Sequence, residues 1–214
     1  LKAIHSLSAS GGKVSTNSLS ERLRTKASSV TDMLKRLSEK GLVKHEPYHG
    51  ARLTARGESM ALRLVRKHRL WETFLVARLG FGWNEVHEVA EQLEHVSSDK
   101  LVDALDEYLG HPAFDPHGDP IPDHNGKMEQ RSLQRLSNMQ QQDVVKLVAV
   151  QDPDDALLEH LDRKGIGIGS KFQVKTISEF DGSMEFRSMI GSRPSNVYFE
   201  LSAQVAGHLL VEKA

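Results

Sequence analysis

The 214-residue chain contains no cysteine. That absence excludes disulfides, thiolate metal sites and cysteine nucleophiles, and it fits a cytoplasmic setting. No uncharged apolar run reaches the roughly 18 residues a membrane helix needs, and no signal-like segment opens the chain. A soluble, non-secreted protein is therefore expected. The first residue is Leu1, with Leu1, Ile4, His5 and Leu7 at helical spacing, so residues are expected upstream of it. The length exceeds the usual single-domain size and implies two or three domains with real cores.

Net charge is only −1, yet it is unevenly placed. Residues 1–70 carry +10, residues 71–140 carry −8 and residues 141–214 carry −3. A basic front third suggests a polyanion partner, and an acidic middle suggests cations or a subunit interface.

The basic third contains a helix pattern with Leu19 and Leu23, which Ser15 or Thr16 can cap. A break at residues 25–27 follows, then a second helix from about Ser28. Val30, Met33, Leu34 and Leu37 form the apolar stripe of that helix, and Gly41 ends it. Residues 42–45 and 51–54 read as short strands joined by residues 46–50. Helix, turn, helix and hairpin make a winged helix-turn-helix. The second helix of such a module reads the major groove of duplex DNA, while the wing touches phosphates. The candidate DNA-binding residues are Thr25, Lys26, Ser28, Ser29, Thr31, Asp32, Lys35 and Arg36 at the helix, with His49 and Arg52 on the wing.

The middle of the chain carries possible cation ligands. Residues 63–81 (RLVRKHRLWETFLVARLGF) form a strong helix pattern with His68 and Glu72 at i and i+4, hence on one face. Residues 86–96 (VHEVAEQLEHV) place His87, Glu91, Glu94 and His95 within an arc of roughly 100° on a helix. Val86, Val89, Ala90, Leu93 and Val96 lie opposite, and no Lys or Arg interrupts the polar face. Taken alone, this is either a solvated acidic face or a ligand row. Two neighbouring helices that each present His and Glu are a recurring way to build a cation site.

The winged helix, RKHRLWE (66–72), VHEVAEQLEHV (86–96) and GHPAFDPHGDPIP (110–122), together with the tail, resemble the diphtheria toxin repressor family of metal-dependent transcriptional regulators. The resemblance implies that His68, Glu72, His87 and His95 match the family's metal ligands and that Glu94 matches a carboxylate shared between its metal positions. Glu91 stands where iron-responsive members carry cysteine and manganese-responsive members glutamate. Carboxylates and imidazoles suit Mn²⁺ or Fe²⁺, so Mn²⁺ is expected, with Fe²⁺ the alternative. The family takes one further ligand from a position just before Leu1. Residues 99–109, with Leu101, Val102, Leu105 and Leu109 as a helical stripe, match a region that packs across a two-fold axis, which implies a homodimer.

Residues 110–130 hold four of the seven prolines plus His111, His117 and His124; their Pro and Gly spacing marks a linker rather than a metal site. Beyond it, residues 144–151, a helical stretch and four further segments read as a small β-barrel of about 70 residues. It looks like the SH3-like, ferrous-transport-A-type domain that longer family members append. Gly165, Gly167 and Gly169 read as turn chemistry, since no strand–loop–helix context surrounds them. Some members lend oxygen ligands to the metal region from this domain; Asp152, Asp154 and Asp155 are the candidates.

The expected fold is mainly α with small β. It comprises a winged helix-turn-helix (1–62), a helical metal-binding and dimerisation domain (63–128), and a linker with an SH3-like β-barrel (129–214). The expected function is that of a metal-dependent repressor which binds operator DNA, palindromic and double-stranded, as a dimer when loaded with Mn²⁺ or Fe²⁺. It would control metal homeostasis genes and have no enzymatic role. One rival is a winged-helix regulator answering to an organic ligand. Another is a di-metal hydrolase, for which the sequence offers no nucleophile, phosphate loop or Asp-rich motif.

Overall fold

The structure, a computed structural model, describes residues 1–8, 12–46, 49–96 and 98–214. It divides into two compact units, Leu1–His68 with Pro122–Lys127, and Arg69–Ile121 with Met128–Ala214.

The first unit runs through α1 (Lys2–Leu7), α2 (Thr16–Arg22), α3 (Ala27–Glu39) and a hairpin of β1 (Val43–Glu46) and β2 (Gly50–Leu53). Ser15 caps α2, its hydroxyl accepting the Ser18 N–H at 3.0 Å. That bond satisfies one of the amides a helix start leaves without a partner. Leu23 is the C-cap of α2 rather than part of its buried face, and Arg24 turns the chain at φ +46°. Helix α3 ends at Lys40, followed by Gly41 at φ +68°, a left-handed geometry that glycine adopts without a Cβ penalty. Its stripe buries Val30 and Leu34 against Ile4, Leu19, Val43 and Ala51. Val14 adds a bridge to the hairpin by exchanging two main-chain bonds with Ala51, both 2.8 Å. This is the winged helix-turn-helix read from the sequence, with each strand displaced as a whole by one residue.

Helix α4 (Ala55–Leu79) begins earlier than the apolar pattern from residue 63 indicated. Thr54 is the reason. Its hydroxyl accepts the Gly57 N–H at 3.0 Å and donates to the Gly41 carbonyl at 2.8 Å, which ties the helix start to the end of α3. A Cβ at Gly57 would stand 1.9 Å from the Leu42 carbonyl oxygen, so only glycine permits that approach.

The second unit contains the later part of α4, then α5 (Val86–Leu93) and α6 (Asp99–Tyr108). Val86 and Ala90 of α5 bury against Leu75 of α4. Ser98 caps α6, whose Val102 and Leu105 pack with Leu70 and Ile121. Leu101 lies on the exposed side of α6.

A six-stranded antiparallel sheet completes this unit. Its strands are β3 (Gln134–Arg135), β4 (Val144–Val150), β5 (Lys171–Ile177), β6 (Met184–Ile190), β7 (Arg193–Leu201) and β8 (Leu209–Lys213), in the order β3-β8-β4-β5-β6-β7. Helix α7 (Asp155–Arg163) follows β4, and Asp154 caps it by accepting the Leu157 N–H at 2.8 Å. Leu147, Val174 and the T-shaped ring pair Phe172–Phe186 centre the core. Residues 166–170 form no strand; a turn lies at 168–169, with Gly169 at φ +89°. A short helix α8 (Ala203–His208) precedes β8, where the sequence suggested a turn between two strands; Ser202 caps it. Among the described residues no helix is long and apolar enough to cross a membrane.

Candidate metal centre and nucleic-acid interface

Helix periodicity places His68 and Glu72 one turn apart on α4, and both are buried. Glu72 is the focal residue. A ligand atom of Glu72 lies within 4.8 Å of one on His87. Its Oε1 is 3.1 Å from His87 Nδ1, and His87 itself stays exposed at 63%. On the other side, Glu72 Oε2 is 3.9 Å from Nδ1 of His117.

That last contact belongs to a second cluster, formed by Glu72, Asp115 and His117, all three buried. Residues 110–122 are therefore not a slack linker, as their prolines had suggested, but a built loop. Asp115 Oδ1 accepts the main-chain N–H groups of His117 at 2.8 Å and Asp119 at 3.0 Å. Arg69, the residue after His68, clasps the loop. Its guanidinium donates to the Pro120 carbonyl at 2.5 Å and to Asp119 Oδ2 at 3.0 Å, and lies 3.4 Å from Asp115 Oδ2. The His117 carbonyl accepts the Val150 N–H of β4 at 3.0 Å. At Gly118, φ is +86° and a Cβ would meet the Val148 carbonyl oxygen at 2.0 Å, so this close seat on β4 requires glycine.

The electrostatics favour a cation. Burial, then the negative charges of Asp119 and Glu72, raise the Asp115 pKa to about 8, and Arg69 only partly opposes them. Buried carboxylates held together with imidazole nitrogens and no thiolate form a donor set of hard and borderline ligands that fits a divalent metal such as Mn²⁺ or Fe²⁺.

The other residues singled out from the sequence are distributed differently. Helix α5 ends at Leu93, with Glu94 as its C-cap, so His95 lies beyond the regular helix. Glu94 is buried at 3% exposure, whereas Glu91 and His95 are exposed. Asp152, Asp154 and Asp155 are exposed, and Asp154 is engaged as the cap of α7. The sequence did not single out Asp115, and His117 was set aside there as part of a linker. The available signal was an Asp and a His two residues apart around Pro116, outweighed by the surrounding prolines.

In the first unit, Lys26, Ser28, Ser29, Asp32, Lys35 and Arg36 are exposed on and just before α3, and His49 and Arg52 are exposed on the hairpin. Thr25 and Thr31 are half-buried. The Thr31 hydroxyl donates to the Ala27 carbonyl at 3.0 Å, within the helix rather than outward. Pro47 and Tyr48, read from the sequence as part of the segment joining the two strands, lie outside the described residues. An open hollow lined by Ser20, Glu21, Arg24, Thr25, Lys26 and Ser29 flanks the start of α3.

Comparison with known proteins places these features in one lineage. Residues 1–51 match the family described as iron dependent repressor, N-terminal DNA binding domain. Residues 54–123 match iron dependent repressor, metal binding and dimerisation domain, and residues 134–213 match the FeoA domain. A solved manganese-dependent transcriptional repressor in complex with manganese is 35% identical with a TM-score of 0.86, covering 100% of this chain and 97% of that one. The iron-dependent repressor IdeR of Mycobacterium leprae is 34% identical over 122 residues, 57% of this chain and 53% of that protein. A probable metal transport system membrane protein of Chlamydia trachomatis serovar D is 45% identical over 93 residues, 44% of this chain and 20% of that protein. The chain thus matches about half the length, or less, of these two curated relatives. Three successive domain matches in the family's order, and a fold shared along the whole chain with a manganese-dependent repressor, show that the chain belongs to the iron-dependent repressor family of metal-dependent transcriptional regulators.

Proposed function

We propose that this protein is a metal-gated, DNA-binding repressor of metal homeostasis genes, active as a homodimer in the cytoplasm on a palindromic duplex operator. One observation carries the reading. The buried carboxylate of Glu72 turns one oxygen to His87 and the other towards His117 and Asp115. A divalent cation held there would supply positive charge to that set of buried acids and so hold its side chains in one arrangement.

In this reading Glu72 and His87 would hold one ion, with His68 added by the family resemblance, and Glu72, Asp115 and His117 would face a second position. Glu91, Glu94 and His95 form a further ligand set, which the family resemblance supports. Of the C-terminal acids, Asp152 is favoured. Asp154 is occupied as a cap, whereas Asp152 follows two residues after Val150, which bonds to His117. Mn²⁺ is the assigned metal and Fe²⁺ the alternative, because every donor is oxygen or imidazole nitrogen. The groove-facing residues are those exposed on α3 and the hairpin, with Lys26, Lys35, Arg36 and Arg52 contacting phosphate and Ser28, Ser29 and Asp32 at the helix start. Cation and DNA each raise the other's affinity by the same factor, since coupling is reciprocal, and about 1–3 kcal/mol makes a usable switch.

The test is fluorescence anisotropy with duplex operator candidates in Mn²⁺, anaerobic Fe²⁺, or chelator. Tighter binding with metal than with chelator is expected, and equal binding in all three would refute gating.

A further inference from the structure

We propose that Trp83 is the positioning residue for His117, linking the buried Glu72–Asp115–His117 cluster to helix α7; the inference rests on the reading of that cluster as a cation site. Trp83 lies in the short loop between α4 and α5 and is connected in two directions. Its main-chain carbonyl is 2.7 Å from His117 Nε2. A carbonyl oxygen only accepts, so Nε2 carries a proton, and in the neutral ring Nδ1 keeps its lone pair. Nδ1 is the nitrogen that faces the acids, 3.9 Å from Glu72 Oε2 and 4.0 Å from Asp115 Oδ1. The hydrogen bond therefore selects the tautomer a cation needs, and it does so from outside the ligand set.

The side chain of Trp83 serves the other direction. Its indole N–H donates to Asp162 Oδ1 on α7 at 2.8 Å. The ring packs against the core of the sheet and lies nearly parallel to the His117 ring, at 10° with centroids 6.3 Å apart. The loop is braced by Glu85, whose Oε1 accepts the Gly82 N–H at 2.9 Å. The carbonyl that orients His117 is thus held by a side chain anchored on α7. Loss of the Asp162 contact lets that carbonyl shift and the imidazole turn.

Two measurements test the assignment. In metal-free protein, long-range ¹H–¹⁵N correlation of the histidine rings should show His117 protonated at Nε2; protonation at Nδ1 overturns the proposal whatever the cluster binds. Mn²⁺ affinity by calorimetry should fall about tenfold in Trp83→Phe and in Asp162→Ala. The double variant should be no weaker than either single one, and Asp162→Asn, which keeps an oxygen acceptor, should restore near-original affinity. Additive losses, or unchanged affinity in Asp162→Ala, overturn the link. Should Trp83→Phe fail to fold, the two Asp162 variants decide alone. Failure of the underlying cation reading appears separately, as Mn²⁺ affinity indifferent to Glu72→Gln and Asp115→Asn.

Discussion

Asp115 lies 3.4 Å from the Arg69 guanidinium yet holds its proton far above the usual carboxylate range, because burial and the neighbouring acids outweigh that one cation. The sign of the pH effect follows. The carboxyl pKa is raised in the folded state from its ordinary 3.8 to about 8, so the folded chain binds the extra proton between those values. Stability from this group is fully present below the unfolded pKa and is lost as pH rises through about 8. Metal-free protein should lose stability across that window by urea unfolding, and Asp115→Asn should flatten the slope. A wild-type slope of opposite sign, unchanged by the substitution, would contradict the assignment.

Glu72 faces both clusters, so its removal should disable both. At Mn²⁺ one hundred times its dissociation constant, the original chain should gain about 2.7 kcal/mol of stability. Glu72→Gln should lose the part of that gain that the two clusters supply, keeping only what Glu91, Glu94 and His95 bind, whereas His87→Ala and Asp115→Asn should each reduce bound metal by about one ion per chain in elemental analysis. Full metal content in Glu72→Gln would remove it from the ligand set.

Gly118 seats the loop on β4 in a conformation that a side chain cannot share. Gly118→Ala combines a positive φ with a Cβ 2.0 Å from the Val148 carbonyl oxygen. It should cost about 3 kcal/mol in urea unfolding, the upper range for overpacking. It should also weaken Mn²⁺ binding, since His117 is the preceding residue. A stability change below about 0.5 kcal/mol, the size of an ordinary surface substitution, would show that the loop sits elsewhere.

On the DNA side, Lys35→Ala and Arg36→Ala should each weaken operator binding across sequences and reduce the salt dependence by about one counterion. Thr31→Val should change affinity little, because the hydroxyl it removes already bonds to the Ala27 carbonyl. Anisotropy titrations at several salt concentrations separate these outcomes. A large loss in Thr31→Val with none in Lys35→Ala would place the recognition surface on another face.

The winged helix was legible in the residues because its signals are local: the Val30–Met33–Leu34–Leu37 stripe, of which only Met33 is exposed, the glycine after α3 and the short alternating strands. The pairing of His68 with Glu72 was legible for the same reason, since helix periodicity alone puts them on one face. The earlier start of α4 was not, because it depends on Thr54 reaching the Gly41 carbonyl across a hairpin. Helix α8 was hidden in a stretch of only six residues, too short for a periodic pattern to stand out.

Sequence alone determined the order of domains, the basic front third, the absence of thiols and the helical spacing of the candidate ligands on α4 and α5. Tertiary structure decided which donors share a buried space: it turned residues 110–122 into a loop clasped by Arg69, brought Asp115 and His117 to Glu72, and set Trp83 between His117 and Asp162. The physical reason is range. Periodicity, capping and turn chemistry act over a few residues, whereas burial, the mutual repulsion of acids and the tautomer of an imidazole depend on groups that only long-range packing brings together.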